Sequence, residues 1–325
     1  MDKEARIYVA GHRGLVGSAL LRRLAARGYG NFLTRSHTEL DLIEQRAVED
    51  FFRDNRPDYV FLAAARVGGI YANNSYPAEF IRENLAVQNN VLEAAHQYGA
   101  RRLLFLGSSC IYPRDCPQPI KEAYLMSGPL EPTNSAYAVA KIAGIESCRA
   151  YNRQYGSRFL AVMPTNLYGP GDNYDLQNSH VLPALIRKMH EAKTRGEDEV
   201  AIWGTGEPRR EFLYSDDMAE ACCFLMDLPD PRFDALLGDP TTPALINIGS
   251  GADLRIAELA RLVADVVGFG GRLRQDASKP DGTPRKLLDV SRLKALGWVP
   301  TKGMEEGIKA AYQDFLSSRW ARSAS

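Results

Sequence analysis

The chain has 325 residues, 45% of them hydrophobic, with 40 Lys and Arg against 40 Asp and Glu. At roughly 150 residues per domain this length predicts two domains or one large α/β unit with an appendage, and the even charge balance offers no general attraction for nucleic acid or an anionic membrane. The longest apolar run, 59–65, is far short of the roughly 20 residues of a membrane span. The charged start Met1-Asp2-Lys3-Glu4-Ala5-Arg6 has no apolar stretch behind it, which predicts a cytoplasmic protein without a secretory signal. Cys110, Cys116, Cys148, Cys222 and Cys223 are odd in number and contain no Cys-x-x-Cys pair, so neither a disulfide framework nor a structural metal site is expected.

In chain order, a short buried strand at 6–10 runs into Gly11-His12-Arg13-Gly14-Leu15-Val16-Gly17, which opens a helical pattern through Leu20, Leu21 and Leu24. The unit repeats: strand 32–34 and helix 45–54, strand 59–65 and helix 85–98, strand 103–106, helix 136–155 and strand 159–163. Short strands alternating with helices predict an α/β, Rossmann-type, doubly wound parallel sheet. Residues 1–165 are assigned to this dinucleotide-binding domain, with later segments near 210–248 returning to it. Residues 166–325, richer in Gly and Pro, are assigned mainly to a smaller C-terminal α/β substrate domain. Within that half, Asp216-Asp217 reads as a helix N-cap and 229–243 as a surface loop.

A glycine run is weak evidence alone, but here it lies between a strand and a helix, where a pyrophosphate can sit on the helix N-terminus. An NAD site normally carries an acidic residue at the end of the second strand. This chain has Arg35, Ser36 and His37 there, with Arg13 inside the glycine loop, and Glu39 and Asp41 come late. Two cations favour a 2′-phosphate, hence NADPH or NADP+. Tyr137 and Lys141, four residues apart, share one face of a helix. An ammonium beside a phenol is expected to lower its pKa and fit it for acid–base work, and Ser108, at the carboxyl end of strand 103–106, could hold a carbonyl beside it. Taken alone, the glycine run is an ordinary turn and the Tyr–Lys pair an ordinary helix face. Together they point to a reductase.

At this point the chain resembles the extended short-chain dehydrogenases, and within them the enzymes that epimerise and reduce GDP-4-keto-6-deoxy-D-mannose. The resemblance is carried by 11–17, Ala63-Ala-Ala-Arg-Val-Gly-Gly-Ile70, Leu106-Gly-Ser-Ser-Cys-Ile-Tyr-Pro113, Glu131-Pro-Thr-Asn134, 137–144, Met163-Pro-Thr-Asn-Leu-Tyr-Gly-Pro170, Asn178-Ser-His180, Arg210-Glu-Phe-Leu213 and 279–289. It covers nearly the whole chain. It implies Ser108, Tyr137 and Lys141 as the reductase group, with Cys110 as base and His180 as acid for proton exchange at C3 and C5, next to the C4 ketone.

The resemblance also implies cofactor contacts from Gly11, Arg13, Gly14, Leu15, Val16, Gly17, Arg35, Asp41, Ala64, Tyr137, Lys141, Pro164, Asn166, Leu167 and His180. A GDP-sugar substrate would meet Ser108, Ser109, Cys110, Asn166, Lys188, Trp203, Arg210, Asp281 and Lys286. Helices 85–98 and 136–155 match the family's dimerising pair, which implies a homodimer. Two positions depart from the family's Arg: Lys188, which gives up a bidentate grip on phosphate, and His37. A sugar-nucleotide 4,6-dehydratase or 4-epimerase is the nearest alternative, but Ser109, Cys110 and Ile111 stand where a dehydratase wants a carboxylic acid pair. A non-catalytic NADP-binding regulator would be expected to lose Tyr137 or Lys141, and both are present.

Overall fold

A computed structural model describes residues 1–176, 179–238, 243–279 and 281–322. Its first half alternates β1 (Ile7–Ala10), α1 (Leu15–Ala26), β2 (Phe32–Leu33), α2 (Gln45–Asn55), β3 (Tyr59–Leu62), α3 (Ile70–Ser75), α4 (Pro77–Gln97), β4 (Arg102–Leu106), α5 (Ser135–Tyr155) and β5 (Phe159–Pro164). There follow β6 (Asn166–Tyr168), α6 (Val181–Arg195), β7 (Glu199–Trp203), β8 (Arg209–Tyr214), α7 (Ser215–Asp227), α8 (Asp230–Asp234), β9 (Leu245–Ile248) and β10 (Asp253–Arg255). The chain ends with α9 (Ile256–Val267), β11 (Arg272–Asp276), β12 (Arg285–Lys286), α10 (Ser291–Ala295), α11 (Met304–Ser317) and α12 (Arg319–Arg322).

Six parallel strands make the main sheet in the order β2-β1-β3-β4-β5-β9. Because side chains alternate across a strand, each central strand feeds two cores. Ile7, Val9, Phe61, Leu104 and Leu106 pack with α1 and α7, while Tyr8, Val60, Leu62, Leu103 and Phe105 pack on the other face with Phe52, Val91 and Ile145 of the helices there. β9 and α7 come from the second half of the chain, yet β9 pairs with β5 and α7 lies along α1 with ion pairs Arg22–Asp216 (2.7 Å) and Arg23–Glu220 (2.8 Å).

Several elements differ from the sequence reading. α4 starts at Pro77, two turns earlier than expected, because its buried stripe includes Asn84 and Gln88, polar residues that break the apolar period. β3 ends at Leu62, and residues 63–69 leave the sheet as a loop. The stretch 229–243 is not wholly loop: α8 buries Phe233, with the Arg102 guanidinium 4.1 Å from its ring centroid, and residues 239–242 lie outside the described residues. Asp216 and Asp217 do not cap α7, whose N-cap is Tyr214. Asp216 pairs with Arg22, and Asp217 accepts from Thr301 Oγ1 (2.9 Å) and the Lys302 N–H (2.9 Å).

The remaining strands hang on β8. It pairs with β6 at Asn166–Phe212, with β10 antiparallel, and with β12 so that Lys286 stands beside Arg210. Glu211, between them, is fully buried and accepts from the Gly251 (2.7 Å) and Leu288 (3.0 Å) N–H groups, tying β8 to two loops. β7 and β11 form a separate parallel pair over a third core that includes Tyr168, Ile186, Ile202 and Phe315. Past the carboxyl end of β4, the turn that carries Cys110 and the strand β12 line one cleft, so residues from both halves of the chain meet there.

Candidate active site

The groove after β1 is built by close backbone approach. Gly11 has φ +80°, and a Cβ there would come within 2.8 Å of the Ala64 backbone. A Cβ on Gly17 would come within 2.1 Å of the Gly11 carbonyl oxygen. The loop closes with the Gly14 N–H donating to the Gly11 carbonyl (3.0 Å), and α1 starts one residue later, at Leu15 and Val16, with no side chain capping it. Its first N–H groups are thus directed at the groove. Beside it is a cavity of about 290 Å³ lined by Gly11, His12, Arg13, Gly14, Arg35, Ser36, His37 and Thr38.

Glu39 and Asp41 do not line this cavity. Glu39 accepts from the Ser36 N–H (2.7 Å) and Oγ (2.6 Å), bonds that hold its carboxyl below the usual range. Asp41 accepts from the Ile43 N–H (3.0 Å) and lies 3.7 Å from His37 Nδ1. Arg35 is braced against the Thr34 carbonyl (2.8 Å) and lies 5.3 Å from the Phe51 ring centroid. His12 Nδ1 is buried without a hydrogen-bond partner among the described residues. Two cations, hydroxyls, an unpartnered ring nitrogen and a helix N-terminus fit a dinucleotide that carries a 2′-phosphate. Pro164, Asn166 and Leu167 follow on β5 and β6, and Asn166 Nδ2 donates to the Glu211 carbonyl (2.8 Å).

At the end of β4 the chain turns through a short 3-10 segment, Ser109–Ile111. The Ser108 hydroxyl accepts from the Cys110 N–H (3.4 Å) and lies beside both the Cys110 thiol and the Tyr137 phenol, where it favours the ionised form of each. Lys141, one turn along α5, is 3% exposed. Its ammonium donates to the Leu106 carbonyl (2.8 Å) and lies 5.8 Å from the Tyr137 ring centroid. Burial holds it down to about 8. The expected lowering of Tyr137 by this ammonium is not found: burial pushes the phenol up, Cys110 adds to that, and only the Ser108 bond opposes it. Four-residue spacing brought the two side chains to one face, but the ammonium bonds to β4 and not to the phenol.

The Cys110 thiol is likewise raised, because burial outweighs the cations Lys286 and Lys141 and the Ser108 hydroxyl. His180, the N-cap residue of α6, is open to solvent on the cleft side yet hemmed in by protein. That desolvation, and then the charge of Lys286, lower its pKa and favour the neutral imidazole. Lys286 is thus the common neighbour of thiol and imidazole. Of the Asn178-Ser179-His180 motif, Asn178 lies outside the described residues.

A second cavity is lined by Ser109, Cys110, Glu131, Asn134, Thr283 and Lys286, among others. Glu131, Asn134 and Thr283 were not singled out as site residues. Asn134 Oδ1 is buried without a partner, a signal present only in three dimensions. Farther along, Arg210 stands beside Lys286 on paired strands, and Trp203, 58% exposed at the end of β7, has the Lys188 and Lys279 ammoniums 4.7 and 5.6 Å from its ring centroid. Lys279 was missed by the sequence reading. Asp281 is engaged in the protein, accepting from the Thr205 N–H (3.0 Å) and Oγ1 (2.7 Å) and so clamping the turn after Trp203.

A family model described as the NAD dependent epimerase/dehydratase family matches residues 7–237. The chain belongs to this family. Among its epimerase/dehydratase relatives, it is 54% identical to GDP-L-fucose synthase 1 of Arabidopsis thaliana, over 98% of this chain and 95% of that one. It is 53% identical to GDP-L-fucose synthase of Escherichia coli (strain K12), over 98% of each. Among solved structures it is similar to MlghC, a GDP-mannoheptose C4 reductase from Campylobacter jejuni with NADP bound, at 39% identity and TM-score 0.87 over 97% of this chain and 99% of that one.

The 2′-phosphate cavity makes a direct test of the groove. Replacing Arg13 with Ala is expected to weaken NADPH binding roughly tenfold or more, the worth of one charge-assisted contact, and to leave NADH binding nearly unchanged. Titration calorimetry with both dinucleotides measures this, and equal losses for the two would contradict the assignment.

Proposed function

We propose that this enzyme is a bifunctional 3,5-epimerase and NADPH-dependent 4-reductase that converts GDP-4-keto-6-deoxy-D-mannose to GDP-L-fucose. The observation that carries the reading is the convergence at Ser108, whose hydroxyl accepts from the Cys110 N–H and lies close enough to the Cys110 thiol and the Tyr137 phenol to act on both. A proton-exchange pair and a reduction acid then share one carbonyl site. The full-length likeness to GDP-L-fucose synthases of a plant and a bacterium supports the same reading.

Cys110 accepts the proton from C3, leaving an enolate whose oxygen is the former C4 carbonyl, and His180 returns a proton to the opposite face. The thiol then gives its proton to water and the imidazole takes one up from water, which resets the pair for the same exchange at C5. Burial raises the thiol, so the positive charge of Lys286 is what favours the thiolate, and the same charge needs a nearby anion before His180 can hold a proton. The substrate's diphosphate, gripped by Arg210, Lys286 and Lys188 with Trp203 beside them, brings that anion. NADPH, held by the 11–17 loop, Arg13 and Arg35, supplies the hydride for C4 when bound. Tyr137 gives its proton to the oxygen at C4, and the burial that raises its pKa keeps it protonated until then. Lys141 braces α5 against β4, and Ser108 orients the carbonyl.

A second copy is placed against α4 and α5, which pack on one another and leave Val139 and Tyr155 exposed; light scattering is expected to read twice the mass of one chain, and a monomer's mass would contradict it. The five unpaired thiols suit a reducing compartment, the cytoplasm, where cell fractionation should recover the enzyme.

The half-reactions are separable. In deuterated water the wild type should wash deuterium into C3 and C5 of the keto-sugar, and Cys110→Ser should incorporate almost none while still binding NADPH. Tyr137→Phe should keep the exchange and lose NADPH oxidation. Exchange at the wild-type rate in Cys110→Ser would remove the thiol from the mechanism.

A further inference from the structure

Tyr137 has a neighbour that the proposed reaction does not use. The ring of Phe80, on α4, meets that of Tyr137 at 90°, with centroids 6.2 Å apart, in the edge-to-face arrangement aromatic rings prefer. Phe80 is only 2% exposed and is itself held from the far side. The Arg66 guanidinium lies 5.4 Å from its centroid, close enough for the cation to be drawn to the ring. Arg66 Nη1 in turn donates to both carboxylate oxygens of Glu83, at 2.9 and 3.0 Å.

The backbone is locked as well. Asn84 accepts from the Arg66 N–H (3.1 Å), and its amide donates to the carbonyls of Arg66 (3.0 Å) and Phe80 (2.7 Å). The loop after β3, the first turns of α4 and the ring of Tyr137 are therefore joined by one continuous set of contacts. Mutual misplacement of reacting groups by about 1 Å can cost on the order of a hundredfold in rate, and a phenol that has to meet the substrate oxygen beside Ser108 needs its ring fixed by packing.

We propose that Phe80, held by the Arg66–Glu83 ion pair, is a positioning residue for Tyr137 in the reduction of C4. It touches neither Cys110 nor His180 in any contact described above, so its effect falls on one half-reaction. This rests on the reading of Tyr137 as the proton donor.

The test compares NADPH oxidation with deuterium exchange at C3 and C5 in the full-length holoenzyme. Phe80→Leu is expected to lower kcat for reduction about tenfold, with KM for NADPH changed less than about twofold and exchange at the wild-type rate. Arg66→Met, on a half-exposed side chain that should not disturb folding, is expected to lose reduction in the same direction, and Arg66→Lys to restore part of it. Unchanged reduction in Phe80→Leu and Arg66→Met, or exchange falling in step with reduction, overturns the proposal. Wild-type reduction in Tyr137→Phe would instead overturn the functional reading beneath it.

Discussion

The buried ammonium of Lys141 is the constraint on which the arrangement of the cleft depends. A charge that is 3% exposed has to find a fixed partner, and it finds the carbonyl of Leu106, the last residue of β4. That bond sets α5 against the end of the sheet. Ser108 is two residues beyond Leu106 and Tyr137 one turn before Lys141, so one hydrogen bond fixes the distance between the groups that must meet. Cys110 follows on the same turn. The pairing of β9 with β5 and the packing of α7 on α1 then tie the second half of the chain to the sheet that carries these groups.

The electrostatics of the cleft are one-sided. Lys141, Lys286, Arg210 and Lys188 converge on it, and each has its pKa lowered chiefly by burial. Tyr137 and Cys110 are pushed up by the same burial, and His180 is pushed down. The groups that would transfer protons are thus neutral, and the groups that would bind are cationic. Such a site is incomplete without a multiply charged anion, and a nucleoside diphosphate sugar is an anion of that kind.

Much of this was legible in the sequence. The doubly wound sheet follows from short apolar strands spaced by helices, and the glycine loop could be placed because its neighbours were a strand and a helix. Other features depend on distant partners. The start of α4 was hidden because Asn84 and Gln88 are buried to hydrogen-bond other backbone segments, which no apolar period reveals. The hydrogen bonds that Asp281 and Asp41 accept from Thr205 and Ile43 could not be read from the sequence either. The pairing of Tyr137 with Lys141 was readable as spacing, but spacing says nothing of burial, and burial decides which way each group titrates. Lys279 and Asn134 lie in runs that carry the resemblance, but their places beside Trp203 and in the cavity at Cys110 became visible only in the fold.

The central claim is that one cleft both inverts and reduces. Its most direct test is the configuration of the product formed by the wild-type enzyme from GDP-4-keto-6-deoxy-D-mannose and NADPH, read by proton NMR. The account predicts a sugar inverted at C3 and C5 and reduced at C4. A sugar reduced at C4 with C3 and C5 in their starting configuration would contradict it.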